Sequence, residues 1–245
     1  MSLGSTYFYT VRRDPGIVCY WRLNDAVGSS TAIDYAAVNN LNGFYNGPPT
    51  LGQGPLIQGD LSSASVQIAT GQSVTVGDIA ALRLVGDISI EMWVVPLAAS
   101  QNAALMSKGT VSVAAKPYSL TLVAGVPVFT FGNGTTTVTA TSSSALAVSV
   151  PSHVVARSFR GAMAIFINGV QTGTASLGAL TPLDGADSLY IGNSHATAPF
   201  NGLIGEVSLY SQALSTTKIV RRFVLAQTIL ADQPHYTTID PPSYS

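Results

Sequence analysis

Apolar and polar residues alternate along most of the chain in short runs that Gly and Asn interrupt, a pattern that predicts strands. The clearest run is Ala162-Met163-Ala164-Ile165-Phe166-Ile167, followed by Asn168-Gly169 and then Val170-Gln171-Thr172-Gly173. Side chains alternate across a strand, so Met163, Ile165 and Ile167 point one way and Ala164 and Phe166 the other. Asn-Gly readily adopts the positive φ of a tight hairpin turn. The pair occurs five times, starting at Asn42, Asn46, Asn133, Asn168 and Asn201. A second hairpin is predicted from residues 126–131, a turn at 132–134 and residues 135–141. Residues 88–95 read as a strand stopped by Pro96, with Glu91 and Trp93 on one face and Ile90, Met92 and Val94 on the other. Residues 189–191 and 203–210 are further strands. Many short strands with turn residues between them predict an all-β antiparallel fold, a two-sheet sandwich or jelly roll.

One helix interrupts this texture. Ser215 is a natural N-cap, and Ile219, Phe223, Ala226 and Leu230 recur at three- and four-residue steps, which predicts a short C-terminal helix over about 215–230. Lys218, Arg221 and Arg222 fall on its other faces and are expected to be a solvated surface and not an anion site. Pro234 lies past the helix end. The chain thus divides into an N-terminal arm (1–13), a sandwich domain with its helix (14–230) and a tail (231–245), with both ends expected to be extended. The tail carries three prolines and the tyrosines Tyr236 and Tyr244. Prolines keep it out of helices and central strands. Tyr7, Tyr9, Tyr236 and Tyr244 are candidate partner-docking residues. No internal repeat covers the chain.

Charge narrows the function. Charged residues make up 9% of the chain, against a usual ~25%, and the net charge is −1. From Lys116 to Arg157 no Asp, Glu, Lys or Arg intervenes, and Ser, Thr, Asn and Gly are the wetting residues. A surface so short of ions is expected either to be covered in part by neighbouring subunits, as a homo-oligomer or symmetric array, or to belong to an isolated sandwich with a Thr/Ser-coated exterior. Scattered basic residues exclude nucleic acid and a polybasic membrane contact as partners. No apolar run is long enough to span a membrane. Cys19 is the one cysteine and cannot form an internal disulfide. Residues 1–10 lack the charged and apolar regions of a secretory signal, so folding in a cytosol is expected.

The ordered motifs Asp87-Ile-Ser-Ile-Glu91-Met-Trp93-Val, Leu105-Met-Ser-Lys-Gly109, Tyr118-Ser-Leu-Thr-Leu122, Ile165-Phe-Ile-Asn-Gly-Val170, Leu189-Tyr-Ile-Gly-Asn193 and Phe200-Asn-Gly-Leu-Ile-Gly-Glu206-Val-Ser-Leu-Tyr210 resemble the laminin-G-like, concanavalin A-like jelly roll over about residues 14–225. The opening Tyr9-Thr-Val-Arg-Arg-Asp14-Pro15-Gly-Ile-Val-Cys-Tyr20-Trp21-Arg22-Leu23 is similar to versions of this domain in bacteriophage minor tail proteins. That resemblance implies a virion component, tail-associated or decorating the capsid, made in the host cytoplasm and held by other virion proteins. Host cell-surface polysaccharide is a further expected contact. The competing expectation is a lectin module whose main role is attachment to the host surface.

Glucanases of this architecture carry several carboxylates on one strand as nucleophile and general acid. Here Glu91 is the only carboxylate in its strand, and a hydrogen-bonded or outward role is expected for it. Glu206 occupies the family's usual acidic position in Ile204-Gly-Glu-Val207, with a structural role. No Gly-x-Ser-x-Gly elbow occurs, and His153, His195 and His235 with Cys19 have no zinc spacing. His153 is expected as a satisfied sheet histidine. No catalytic residue, and no enzyme, is expected. The resemblance brings calcium with it, held by an Asp near the last strand and by oxygens of an early loop. Gly205 stands at that Asp position, and Asp34, Asn39, Asn40 and Asp60 are the oxygen side chains available near the early loop. No cofactor or metal is therefore expected. A sugar rim, by contrast, can be assembled from amides and an aromatic ring: Tyr45 and Asn46 in one loop, Asn133 in a second, and Asn193, His195 and Asn201 in a third. The competing role of those asparagines is to build turns. Trp21 and Trp93 are expected in the core.

Overall fold

The computed structural model describes residues 6–36, 38–58, 60, 62–109, 116–194 and 198–228. The order of elements is helix α1 (Thr6–Arg12), then strands β1 (Ile17–Trp21), β2 (Thr31–Ala32), β3 (Gly43–Asn46), β4 (Thr50–Gln53), β5 (Ser65–Ile68), β6 (Ser73–Val76) and β7 (Ile88–Pro96). Next come β8 (Ala103–Lys108), β9 (Tyr118–Val123), β10 (Val126–Gly132), β11 (Thr137–Thr141), β12 (Ser152–Phe159), β13 (Ala162–Ile167) and β14 (Val170–Ser176). The chain continues through β15 (Leu189–Ile191) and β16 (Gly202–Tyr210) to helix α2 (Thr216–Gln227). The predicted hairpins are present. Asn168 and Gly169 turn β13 into β14 with φ of 52° and 80°.

Two eight-stranded antiparallel sheets face each other. The first runs β14-β13-β12-β7-β16-β5-β4, with β1 also paired to β16; the second runs β11-β10-β9-β8-β15-β6-β3-β2. The main core lies between them and includes Trp21, Ile90, Met92, Phe129, Phe131, Ile165 and Leu209. Stacking two amphipathic sheets in this way is the expected route to burying one face of each.

The first sheet is also covered on its outer face. A second core joins Tyr7 and Val11 of α1, Ile219 and Ala226 of α2, and the sheet residues Tyr20, Trp93, Val155, Phe166 and Tyr210. Every residue of β7 is consequently buried. The N-terminal arm therefore differs from the extended segment predicted: residues 6–12 are helical, because Tyr7 and Val11, one turn apart, both reach this outer core. Tyr7 is buried and unavailable for docking, whereas Tyr9 is exposed on the opposite side. The tail with Tyr236 and Tyr244 lies outside the described residues. Helix α2 starts where expected, with the Ser215 hydroxyl accepting from the Lys218 amide. Among the described residues no helix is long and apolar enough to cross a membrane.

Candidate functional site

Three polar constellations stand out, and the first two are sealed. Glu91 projects from β7 into the outer core and is fully buried. Its Oε1 accepts from Tyr7 Oη at 3.3 Å and lies 2.9 Å from His153 Nε2; its Oε2 accepts from Tyr210 Oη at 2.6 Å and from Arg222 Nη1 at 2.6 Å. Arg222 Nη2 then reaches Asp14 at 2.7 Å, which also binds Lys218 Nζ at 2.9 Å. Burial by itself would raise the Glu91 carboxyl, but the Arg222 charge and the bonds from His153 and Tyr210 outweigh it and hold the group at about 2. The carboxylate is ionised, paired and out of reach of any substrate. Arg222 is buried as well, contrary to the solvated face predicted for it. It lies three residues after Ile219 and four before Ala226, on the inward face of α2. His153 packs against both Trp93 and Phe223, with ring centroids 5.1 and 6.3 Å away, and those two rings lie 6.1 Å from each other.

Glu206 forms the second buried anion. It sits at a break in β16, with φ of 53°, where pairing with β7 skips between Gly205 and Ser208. Its carboxylate takes hydrogen bonds from Tyr20, Arg22 and Ser63, and Arg22 also pairs with Asp60 at 2.6 Å. Burial pushes the Glu206 carboxyl above its ordinary range despite Arg22, Tyr20 and Ser63. Asp34, offered for calcium by the resemblance, accepts the amides of Tyr20, Ala36 and Leu41 at 2.9 Å each. Asp60 faces Arg22, Asn39 donates to the Val18 carbonyl, and Gly205 has no side chain. These residues do not fit a calcium ion. Among the described residues no three His, Cys, Asp or Glu side chains group as ligands.

The accessible constellation is a groove of ≈ 470 Å³ at one edge of the sandwich, where the chain crosses from β3 in one sheet to β4 in the other. Tyr45 and the buried Leu51 lie in it, Val27 and Pro48 flank it, and Ser29, Ser30 and Thr50 supply hydroxyls. Tyr45 is half-buried, its hydroxyl donating to Asp25 Oδ2 at 2.7 Å and its amide to the Ser30 carbonyl. Asp25 is itself buried, and burial raises its carboxyl above the ordinary range. Gly47 turns the crossover with φ of 67°, and an added Cβ would meet the Gly71 carbonyl at 2.2 Å.

Register separates the predicted sugar rim. Asn46 opposes Ser73 at the start of β6, Asn193 follows β15 and donates to the Gln72 carbonyl, and Asn201 precedes β16, so these share one end of the sandwich with Tyr45. Asn133 follows β10, whose Phe131 pairs with Tyr118 and thence with Lys108 at the other end. It is not part of the same site. Its side-chain carbonyl accepts the amides of Thr135 and Thr136, a turn-building role. Asn193 is buried, its oxygen accepting from Ser194 and Ala198. Asn46 is exposed and donates to Thr75 Oγ1. His195 lies outside the described residues. Neither the groove nor the buried Asp25 beneath Tyr45 emerged from sequence reading; the signal available was Pro48-Pro49 beside the Tyr45-Asn46-Gly47 turn.

Residues 69–220 match the family described as the concanavalin A-like lectin/glucanases superfamily. The chain belongs to that superfamily. Its two-sheet jelly roll is likewise that of solved lectin-like binding domains. Domain 4 of AbnA, a GH43 extracellular arabinanase from Geobacillus stearothermophilus solved with arabinotriose, is 16% identical, with a TM-score of 0.63 over 86% of this chain and 98% of that domain. The binding domain of Botulinum neurotoxin DC, solved with rat synaptotagmin II, is 15% identical, with a TM-score of 0.66 over 89% of this chain and 52% of that one. The binding domain of Paraclostridial Mosquitocidal Protein 1 is 14% identical, with a TM-score of 0.64 over 85% and 52%. The chain spans about half the length of the toxin binding domains it matches. No curated protein matches the sequence.

Proposed function

We propose that this lectin-like domain is a non-catalytic recognition module that holds a surface glycan in the Tyr45 groove. The observation that carries this reading is the groove itself: an aromatic ring held half-buried by Asp25, beside Val27 and Pro48 and hydroxyls at its edge. A sugar presents an apolar C–H face and a hydroxyl rim, and such a wall suits both. The volume is within the range of small-ligand sites. Support for a non-catalytic role comes from Glu91 and Glu206, each fully buried and paired with an arginine. Retaining and inverting glycosidases both need two carboxyl groups flanking an accessible bond. The reading needs no cofactor.

The test is a glycan array with purified protein, followed by titration of any ligand found. Tyr45→Ala should weaken binding at least about tenfold, while Tyr45→Phe keeps the ring and most of the affinity. Binding that survives Tyr45→Ala unchanged, or none to any cell-wall polysaccharide, would end this reading.

A second, compatible reading concerns setting. We propose that the module is built into a bacteriophage particle, made in the host cytoplasm and held by other virion proteins. The stretch from Tyr9 to Leu23 and the scarcity of charge support it, as do Val220 and Val224 left exposed on α2. Antibody labelling of imaged particles tests it; particles devoid of the protein would exclude it.

A further inference from the structure

The basic residues are not evenly spread. The chain has 11 Lys and Arg, and Arg13, Lys218, Arg221 and Arg222 line a single pocket of ≈ 210 Å³ between the end of α1 and the first turns of α2. With Asp14 as the one acid there, the lining carries a formal +3 in a chain whose total is −1.

Asp14 does not quench this charge. It is buried, its Oδ1 takes the Gly16 amide at 3.1 Å, and its Oδ2 is shared by Lys218 Nζ and Arg222 Nη2. Arg222 is further committed to Glu91. Arg13 and Arg221 are different: both are exposed, and neither has an acidic partner among the described residues. The Arg13 guanidinium lies over the Tyr9 ring, 5.0 Å from its centroid, a stacking that restrains the plane and leaves the N–H edges free. Bringing like charges together costs energy unless a counter-charge arrives. In a chain this poor in ions, two unpaired guanidinium forks beside a half-exposed ammonium form a receptor for an oxyanion.

We propose that this pocket binds a phosphate group. Two planar forks and one ammonium supply more donors than the two oxygens of a carboxylate can accept, whereas phosphate offers three or four acceptor oxygens. The group is inorganic phosphate or a phosphate monoester, each with at least three terminal oxygens; a phosphodiester presents only two and falls short of the donor set as a carboxylate does. The pocket shares no residue with the Tyr45 groove, so the proposal stands apart from glycan binding there.

The experiment is calorimetric titration of the full chain with inorganic phosphate at low ionic strength, against chloride of matched ionic strength. Arg13→Ser and Arg221→Ser change exposed side chains, and an unchanged far-UV spectrum checks the fold. Each should weaken phosphate about tenfold and the pair should abolish binding, since charge-assisted bonds to phosphate are of that strength. Arg160→Ser on the β12–β13 turn and Tyr45→Ala should leave it unchanged. Glycerol 3-phosphate, titrated in parallel, should bind like inorganic phosphate, and glycerophosphoglycerol, a diester with two terminal oxygens, should bind more weakly; equal binding of the two would overturn the oxygen count on which the assignment rests. Absence of saturable phosphate binding, equal weakening in Arg160→Ser, or glucuronate binding as tightly as phosphate would overturn the assignment.

Discussion

Arg222 of α2 places its Nη1 2.6 Å from Oε2 of Glu91 in the middle of β7, with both side chains sealed from solvent. This pair fastens the C-terminal helix to the sheet. Through Tyr7, which donates to the same carboxylate, it also fastens the N-terminal helix. The two ends of the described chain thus meet on one buried anion.

Removing one member of a buried pair leaves the other charge uncompensated, which costs about 3–5 kcal/mol. Glu91→Gln and Arg222→Met should each lower the unfolding free energy by that amount, read as a lower urea midpoint at an unchanged slope. The double variant should cost less than the sum, because neither change then strands a partner. Additive losses would show that the two residues stabilise the fold independently.

The Glu91 carboxyl is held at about 2, below its ordinary 4.5. A group whose folded value is depressed contributes stability above its unfolded value and loses it as pH falls toward the folded one. Stability should therefore drop between pH 4.5 and about pH 2, by about 3 kcal/mol from this residue. Glu206 has the opposite sign: its raised carboxyl costs stability at neutral pH, and protonation on the way down relieves that cost. Urea midpoints across this range should show the fall in wild type and a shallower one in Glu91→Gln. An equal fall in both would mean that Glu91 is not the group responsible.

Gly47 is a sensitive point of the groove. Its φ of 67° strains any other residue, and a Cβ would collide with the Gly71 carbonyl. Gly47→Ala should lower stability by about 1–2 kcal/mol and weaken any ligand held against Tyr45. Gly28→Ala, where an added Cβ meets nothing within 4 Å, separates backbone strain at φ of 87° from steric clash.

The strands were legible because their residues alternate and their turns carry Asn-Gly. Asn168-Gly169 could be placed to the residue, since two positive φ angles in succession leave few alternatives. The outer core was less visible. Glu91 and Trp93 share a face of β7, and a carboxylate in a strand suggests a wet face; the covering helices contradict that local signal. Arg222 carried its own clue, the spacing from Ile219 and Ala226, which its charge obscured. The opening stretch is largely structural: Asp14 holds Arg222, Tyr20 and Arg22 hold Glu206, and Trp21 donates to the Leu41 carbonyl at 2.6 Å. The sugar rim failed at Asn133 because strand register, which the sequence does not state, puts β10 and β15 turns at opposite ends.

Helix α1 is short and draws its stability from the sheet beneath it. Seven residues cannot sustain a helix in water, so burial of Tyr7 and Val11 must hold it in place. Deleting residues 1–13 uncovers Trp93 and part of Tyr20 and removes one hydrogen bond from Glu91. None of the described residues removed by this deletion belongs to the main core between the sheets. The truncated chain should therefore keep its far-UV spectrum yet bind the dye ANS, and its melting temperature should fall by several degrees, since each kcal/mol lost moves a domain of this size by about 2–4 °C. Tyr7→Phe keeps the ring and removes only the hydroxyl, and should cost about 1 kcal/mol without dye binding. A truncated chain as stable as the whole would show that α1 rests on the outer core without contributing to it.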